Sequence, residues 1–313
     1  MDENEFEKLF LKNTIFKNKS SLDLSYVPDK IFCRDEAIKT LIFNYGRIFE
    51  GREQPNINCL ILGKKEVGKT VTAKFFGKLF RNIANEKDVK IFVEYYNCIN
   101  FHSKTEIIRD LLAKLTCGSG RGFADDEALK LIIKQLIQDQ RYMLLIIDEV
   151  PQLKRDEILA LLSVTNTFGS QDAIISILMI AEEKEWSTIE NEEILSRINE
   201  KILLLPYNFE ESTQIIKYRS DLAFQKGVFC NDLLDLIGKI TAIYQSMRCG
   251  IQILRKSGDQ ADEKGLDEIT IPMIHEVSYE FKLDIITQLK EQKLFTLLGI
   301  TRALFIVGNL LLL

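Results

Sequence analysis

Eight residues from Gly63 to Thr70, GKKEVGKT, have the types and spacing that bind phosphate groups. Gly63 and Gly68 allow a tight loop whose backbone N–H groups point at phosphate oxygens, and the helix that follows adds the positive end of its dipole. Lys69 would neutralise β- and γ-phosphates, and the Thr70 hydroxyl would bind Mg²⁺. The pattern therefore favours a nucleoside triphosphate site over a glycine turn that merely precedes an ordinary helix.

The middle of this loop is charged, because Lys64, Lys65 and Glu66 fill three of its four variable positions. A loop of this kind binds phosphate through its backbone. We therefore expect the three side chains to point outward, free of the bound phosphates.

A second candidate lies at the end of the apolar run LLIIDE. Asp148, at the tip of a buried strand, is placed to hold Mg²⁺ directly or through water. Glu149, the next residue, would orient and deprotonate an attacking water. The alternative is a strand that ends in a solvated acidic turn.

The elements that must position these residues alternate between strands and helices. Each predicted strand is nearly continuously apolar, which is typical of a parallel sheet covered by helices on both faces. The strands are NINCLILG (56–63), VKIFVEYYNCI (89–99), YMLLIIDEV (142–150) and AIISILMIA (173–181). After KILLLPY (201–207) the amphipathic segments are all helical, so we place a domain boundary near Pro206.

Composition sets broad limits on the function. The chain has 313 residues, 46% apolar and 28% charged, as expected of a globular protein with two or three domains. The net charge of −5 gives no support to a nucleic-acid partner, although a local basic patch is compatible with it. The six scattered cysteines contain no CxxC pair, so we expect thiols in a reducing compartment.

Neither end of the chain predicts a membrane protein. The N-terminal MDENEFEKLF lacks the basic start and apolar core of a signal peptide, and the apolar ALFIVGNLLLL (303–313) is too short to cross a bilayer. We expect no membrane span and a cytoplasmic protein. The apolar tail is more simply a core element covered by other residues or by a partner.

Taken together, these segments resemble an AAA+ ATPase, and more narrowly the archaeal initiator family related to origin recognition complex subunit one and cell division control protein six. The resemblance begins with IFKNKSSLDLSYVPDKIFCRDEAI and continues through VEYYNCI, LPYNFEESTQIIKYRSDLAFQKGVF and MRCGIQILRKSGDQA. It implies a P-loop AAA+ sheet domain at residues 1–206, a helical lid at 207–265 and an incomplete winged-helix segment at 266–313. It also implies ATP or ADP and Mg²⁺ as cofactors.

The resemblance assigns roles to residues outside the loop. Tyr26, Val27, Pro28 and an Arg-Glu-like cluster at Arg34, Asp35 and Glu36 would line an adenine pocket. The residues expected to bind nucleotide are thus Val27, Pro28, Arg34, Gly63, Val67, Gly68, Lys69, Thr70, Val71, Asp148 and Arg248.

Two arginines would complete catalysis with Glu149. Arg248 falls at the position of a lid arginine that reports the γ-phosphate, although a solvated surface arginine is the alternative. Arg197, in LSRINEKI, falls at the position of an arginine finger presented to a neighbouring AAA+ subunit, with a helix-surface arginine as the alternative.

The sequence departs from the family pattern in two places. The family commonly places asparagine just after the fourth strand, where Glu182 stands here; this carboxylate would repel a γ-phosphate unless a cation intervenes. Residues 266–313 match only the first helices of a winged helix, with no readable wing hairpin. The departure at Glu182 therefore predicts weak ATP turnover, with a Glu182 side chain that points elsewhere as the alternative. DNA contacts from residues 151–172 would have to compensate for the missing wing.

Two functions follow. The first is an initiator ATPase that binds duplex origin DNA when replication starts, with ATP shifting its conformation. The second is a nucleotide-switched protein-interaction ATPase, of a transposition-regulator or signalling type, with little DNA binding of its own.

Overall fold

The computed structural model describes residues 14–50, 57–116, 118, 122–167 and 175–279. They form two compact units. The sheet unit comprises residues 25–211 with 245–247, and the helical unit comprises residues 14–24, 212–244 and 248–279. The change from sheet to helical unit falls close after the boundary predicted near Pro206. The prediction did not anticipate that residues 14–24 group with the helical unit.

The sheet has five parallel strands, the four that the apolar runs predicted and one more after them. They are β1 (Asn58–Gly63), β2 (Ile91–Asn97), β3 (Tyr142–Asp148), β4 (Ile175–Glu182) and β5 (Glu200–Leu204). Their order is β2-β3-β4-β1-β5, so the first strand lies between the fourth and the fifth.

Helices cover both faces of this sheet, which confirms the predicted fold class. In this unit they are α1 (Asp35–Tyr45), α2 (Lys69–Glu86), α3 (Lys104–Thr116), α4 (Asp125–Gln138), α5 (Arg155–Thr167), α6 (Glu183–Ile189) and α7 (Glu192–Leu195). Successive side chains of a strand point to opposite faces. Leu144 and Ile146 accordingly belong to the apolar core with α1 and α2, whereas Leu145 and Ile147 belong to the core with α3, α4 and α5.

The first helix is shorter than the sequence predicted. The sequence of residues 34–51, RDEAIKTLIFNYGRIFEG, by itself predicts one helix that ends at Gly51, because glycine commonly follows the end of a helix. In the structure α1 ends at Tyr45 and a 3₁₀ turn follows over Gly46–Glu50. Glycine is a poor helix former, which explains the change of geometry at Gly46. Gly51 lies outside the described residues.

The helical unit contains α8 (Phe209–Ala223), which begins in the sheet unit, α9 (Asn231–Tyr244), α10 (Met247–Lys264) and helical residues 271–279. The N-terminal residues join it because the ring of Phe16 packs on Phe224 with centroids 4.7 Å apart. A Cβ at Gly258 would lie 2.4 Å from the Phe16 ring, so α10 needs glycine there. Among the described residues, no helix has the length and apolar character to span a membrane. The apolar tail and most of the predicted winged-helix segment lie outside the described residues.

Because all five strands are parallel, their carboxyl ends meet at one edge of the sheet. Gly63, Asn97, Asp148 and Glu182 are the last residues of β1 to β4. In open α/β sheets ligands bind at this edge, where the strand order reverses. The strand order therefore brings the glycine loop and the acids of β3 and β4 together.

Candidate nucleotide-binding site

The loop from Gly63 to Thr70 connects β1 to α2, as predicted. Gly68, the N-cap of α2, has φ 91°, a left-handed conformation that favours glycine. A Cβ at Gly63 would lie 2.6 Å from the carbonyl oxygen of Leu204, and one at Gly68 would lie 3.1 Å from the Tyr207 hydroxyl. Glycine is therefore required at both positions, because neighbouring atoms of the protein lie too close for a side chain. The side chain of Val67 is buried in the core, so only its backbone can face a ligand.

Lys69 is the cation of the loop, and it is 8% exposed. Its ammonium group donates to the carbonyl oxygens of Gly63 at 3.0 Å and Lys64 at 2.6 Å. Burial lowers the pKa of Lys69, while Glu149, Glu182, Asp148 and Glu185 act in the opposite direction. Lys69 is thus a buried positive centre surrounded by carboxylates, in the place that the sequence predicted for phosphate recognition.

Asp148 is joined directly to the loop. The Thr70 hydroxyl donates to Asp148 Oδ2 at 2.6 Å, and the Glu149 backbone N–H donates to Asp148 Oδ1 at 2.9 Å. Asp148 is 1% exposed. The two residues predicted to bind Mg²⁺, which are 78 positions apart in the chain, therefore present adjacent oxygen atoms.

Tyr95 is a site residue that sequence reasoning missed. It lies on β2, and its hydroxyl donates to Asp148 Oδ2 at 2.8 Å. Burial and Asp148 raise the pKa of the Tyr95 phenol, so the hydroxyl keeps its proton and acts as a donor. In the sequence, Tyr95 is only an aromatic strand residue that carries a hydroxyl group. Its target, Asp148, can be identified only once β2 is known to lie beside β3.

Glu149 follows Asp148 in a left-handed conformation with φ 55°, which is uncommon for a residue other than glycine. Burial and the adjacent Asp148 raise the pKa of its carboxyl, while Lys69 and Lys65 oppose the shift. Strained backbone and a raised carboxyl pKa are features of general bases. The role of Glu149 in activating water stays a prediction.

Lys64 and Lys65 are exposed, as expected of side chains that point outward, but the charged loop residues also have tertiary partners. Lys64 Nζ donates to Gln245 Oε1 at 3.1 Å, and the Ser246 hydroxyl donates to the Glu66 carboxylate. The Met247 N–H donates to the Glu66 carbonyl at 3.3 Å. Residues 245–247 fold back onto the loop within the sheet unit, so these charges have tertiary partners that the local sequence cannot show.

Lys65 has a different set of partners. Its ammonium group lies 3.4 Å from Glu182 Oε2 and 3.8 Å from Glu185 Oε1. Glu182 is the last residue of β4, one position beyond the predicted end of that strand. A cation therefore stands beside the carboxylate that departs from the family pattern.

Arg34 stabilises the phosphate loop through contacts with its backbone. Its guanidinium donates to the carbonyl oxygens of Val67 at 2.8 Å and Leu205 at 2.9 Å, and it stacks 3.7 Å from the centre of the Tyr207 ring. Arg34 is 8% exposed. Through these contacts Arg34 stabilises the backbone around the loop. Its role in lining an adenine pocket stays a prediction.

The other residues expected around adenine lie close to Arg34 in sequence. Pro28 is buried and Val27 is half-buried in an irregular segment, and the next residue, Asp29, bonds Lys78 of α2 at 2.5 Å. Asp35 and Glu36 are exposed in the first turn of α1, where acids are favoured by the helix dipole. Val71 is half-buried in the first turn of α2.

The two predicted catalytic arginines are distant in sequence from the phosphate loop. Arg248 is exposed in the first turn of α10 and belongs to the helical unit. Arg197 lies in the turn after α7, where it donates to Ser163 and pairs with Glu193 at 3.4 Å. Its carbonyl accepts from Asn58 at 2.9 Å.

The bond to Asn58 fixes the end of the sheet at which Arg197 lies. Asn58 begins β1 and Gly63 ends it, so Arg197 sits at the amino ends of the strands, the length of β1 away from the loop. At about 3.3 Å per residue this separation is on the order of 16 Å. Arg197 therefore does not belong to the phosphate site of its own chain. Its role as an arginine finger for a neighbouring subunit stays a prediction.

The residues present fit Mg²⁺ and a nucleoside triphosphate. A side chain at Gly63 or Gly68 would clash with neighbouring atoms, so the backbone of the loop stays uncovered. The oxygen atoms of Thr70 and Asp148 are ligands suited to a hard cation. Within the described ranges, no group of three or more His, Cys, Asp or Glu residues could hold a metal ion by itself. Mg²⁺ at nucleotide sites takes one or two protein ligands together with phosphate and water, which matches this donor set.

Two family models match the chain in the order of its two units. An AAA domain matches residues 54–188, and a Cdc6 AAA+ ATPase-type lid domain matches residues 213–278. The first contains the glycine loop and the Asp148 strand, and the second contains α9, α10 and Arg248. In both of these domains the chain resembles ORC1/Cdc6-type AAA+ proteins.

Relatives in the ORC1/Cdc6 family agree with this assignment. The chain is 26% identical over 275 residues to an ORC1-type DNA replication protein of Pyrococcus horikoshii, covering 85% of the chain and 65% of the relative. It is 26% identical over 302 residues to ORC1-type DNA replication protein 1 of Methanothermobacter thermautotrophicus, covering 93% of the chain and 77% of the relative. The chain thus spans about two thirds to three quarters of the length of these relatives.

Solved structures show the ORC1/Cdc6 fold. The Aeropyrum pernix ORC2 protein in ADPNP-ADP complexes superposes with a TM-score of 0.78 at 22% identity, covering 85% of this chain and 72% of that chain. The Aeropyrum pernix ORC1 protein in complex with DNA has a TM-score of 0.75 at 18% identity, covering 88% and 72%.

Proposed function

We propose that this chain is an ATP-binding, slowly hydrolysing AAA+ ATPase of the initiator type, which binds duplex origin DNA when replication starts. The observation that carries the proposal is the Thr70–Asp148 hydrogen bond of 2.6 Å, which joins the phosphate loop to the acidic tip of β3 with Glu149 beside it. Relatives named as replication proteins, and the DNA-bound state of the Aeropyrum pernix ORC1 protein, support the choice of DNA.

This chain's residues have distinct tasks in the proposed reaction. The loop N–H groups and Lys69 hold the phosphates, and Thr70 and Asp148 would hold Mg²⁺, which supplies charge stabilisation for phosphoryl transfer when bound. Tyr95 orients Asp148, and Glu149 takes the proton of the attacking water. Glu182 adds negative charge beside Lys69, which is consistent with slow turnover.

The proposed DNA contact begins after β3. The Glu157 carboxylate accepts from the backbone N–H groups of Lys104 and Lys154, each at 3.0 Å, so one acid of this segment is engaged in capping. The Lys154 side chain is exposed. Residues 168–172 of the predicted contact segment lie outside the described residues.

Fluorescence anisotropy with labelled duplex DNA tests the proposal, with ATP, with ADP and without nucleotide, at two salt concentrations. We expect binding that depends on nucleotide and weakens with salt, because phosphate contacts release counterions. Lys69→Ala should lose the nucleotide dependence. Lys87→Ala removes the same charge at the other end of α2, roughly 27 Å away, and should retain it. Tight ATP binding without DNA binding in any state would overturn the initiator function.

That outcome would favour the second candidate, a nucleotide-switched protein-interaction ATPase. The net charge of −5 is the observation that favours it, because it disfavours association with nucleic acid. Transposition-regulator and signalling ATPases belong to this class.

Self-association through Arg197 can be tested by complementation. Arg197→Ala keeps an intact phosphate site, and Glu149→Gln keeps Arg197. If Arg197 acts on a neighbour, mixing the two inactive variants should restore ATP hydrolysis, whereas a surface role predicts that Arg197→Ala alone hydrolyses normally. A mixture no more active than its parts, with Arg197→Ala inactive, would contradict action between subunits.

A further inference from the structure

Glu182 lies between the two halves of the phosphate site. The strand order places β4 between β3, which carries Asp148, and β1, which leads into the loop. In the β1–β4 register Glu182 is the direct partner of Gly63. Neighbouring strands are about 4.8 Å apart, so the Glu182 backbone lies one strand spacing from the first glycine of the loop.

The side chain of Glu182 acts on the same space as Lys69. It is one of four carboxylates, with Asp148, Glu149 and Glu185, whose charges act on the Lys69 ammonium. Lysines at this loop position neutralise β- and γ-phosphates. The terminal phosphate of a bound triphosphate would therefore lie within the field of Glu182.

Lys65 offsets this field only in part. The Glu182 side chain is 17% exposed, so the protein holds it in place and its charge is little screened. The Lys65 side chain is 73% exposed, and its ammonium lies 3.4 Å from Glu182 and 3.8 Å from Glu185. A largely exposed, hydrated cation shared between two acids compensates less than a full negative charge.

We propose that the Glu182–Lys65 ion pair sets the preference of this site between ATP and ADP, with Glu182 disfavouring the triphosphate and Lys65 restoring part of its affinity. The inference rests on the proposed function, because it requires that the loop bind both nucleotides. ATP carries one more negative charge than ADP, at its terminal phosphate. The pair therefore changes the affinity for ATP much more than the affinity for ADP.

The size of the effect follows from Coulomb's law. For a carboxylate roughly 8 Å from the terminal phosphate and an effective dielectric constant of about 40, one unit of charge changes the ATP binding constant by about fivefold. Glu182→Gln should therefore raise the ratio of ADP to ATP dissociation constants by about fivefold. Lys65→Met should lower it by about twofold to threefold, and by less when Glu182→Gln is also present.

The experiment displaces a fluorescent ADP analogue from the full chain with ATP or with ADP, in Mg²⁺, for the wild type and each variant. Glu183→Gln and Lys184→Met are matched controls, because they remove the same charges from exposed side chains on α6. Both controls should leave the ratio within about 1.5-fold of wild type. Thermal unfolding verifies that each variant is folded, and Glu182→Asn replaces Glu182→Gln if the latter is not.

The outcomes separate this inference from the function on which it rests. A wild type that binds neither nucleotide refutes the proposed function. A wild type that binds both, with a ratio that Glu182→Gln changes no more than Glu183→Gln does, overturns the ion-pair inference alone. A fivefold shift caused by weaker ADP binding, with ATP unchanged, would also overturn it.

Discussion

Replacing Tyr95 by phenylalanine removes one of the three hydrogen bonds that described residues donate to the Asp148 carboxylate, and it leaves the ring. The lost bond is 2.8 Å long, and Asp148 keeps the Thr70 hydroxyl and the Glu149 N–H as donors. Hydrogen bonds to charged groups contribute about 1.5–3 kcal/mol. Because two donors remain, we expect the lower value, a loss of about 1.5 kcal/mol in the free energy of unfolding.

The same change should also affect Mg²⁺. Partners that orient a metal ligand typically matter by about 10- to 100-fold in metal affinity. With Thr70 still in place, we expect Tyr95→Phe to raise the Mg²⁺ concentration needed for half-maximal ATP binding by about tenfold.

Urea denaturation measures the change in stability. It is followed by the fluorescence of Trp186, which is buried in the sheet unit and is the only tryptophan of the chain.

The adjacent residue supplies the control. Tyr96 donates to Asp110 at 2.6 Å, on the opposite face of β2 from Tyr95 and away from the phosphate site. Tyr96→Phe should lower stability by a similar amount and leave the Mg²⁺ requirement unchanged. If both variants shift the Mg²⁺ requirement equally, or neither does, then Tyr95 does not orient a metal ligand and the reasoning fails.

Three further predictions concern the same unit. Glu149→Gln should slow phosphate release by about 10²- to 10⁴-fold with ATP affinity changed by less than about threefold, and a variant with more than a tenth of wild-type turnover would exclude Glu149 as the base. Gly63→Ala should abolish ATP binding because its Cβ would lie 2.6 Å from the Leu204 carbonyl, whereas Gly46→Ala, with only an ordinary 3.8 Å contact, should bind normally in the same titration. Burial raises the pKa of the Cys59 thiol from 9.0 to about 12, so the native state holds a proton that the unfolded chain releases, and the free energy of unfolding should fall as pH rises from 9 towards 12. Urea titrations across this range should show a smaller fall for Cys59→Ala, and an equal fall in both proteins would contradict the assignment.

The phosphate loop and the sheet could be predicted from the sequence because their signals are local. Gly63, Gly68, Lys69 and Thr70 lie within eight positions, and β1, β3 and β4 are nearly continuous apolar runs. Asp148 was found for the same reason, since it ends such a run. The prediction that the first helix reaches Gly51 was wrong because the local signal is weak there. A single glycine at position 46 is compatible with both a helix and a turn.

Other parts of the site depend on residues far apart in the chain. Tyr95 reaches Asp148 across 53 positions, Arg34 reaches Leu205 across 171, and Ser246 reaches Glu66 across 180. No periodicity or spacing encodes these pairs. They exist because the strand order sets β2 beside β3 and because residues 245–247 return to the loop.

The sequence by itself determined that this chain forms a parallel sheet with a phosphate loop and an acidic strand tip, since backbone sterics and apolar periodicity act over a few residues. Only the tertiary structure decided what surrounds the phosphates: a tyrosine on the Asp148 carboxylate, and a lysine of the loop beside Glu182. Charges act through space and not along the chain. The electrostatics of the site therefore follow from which strands are neighbours.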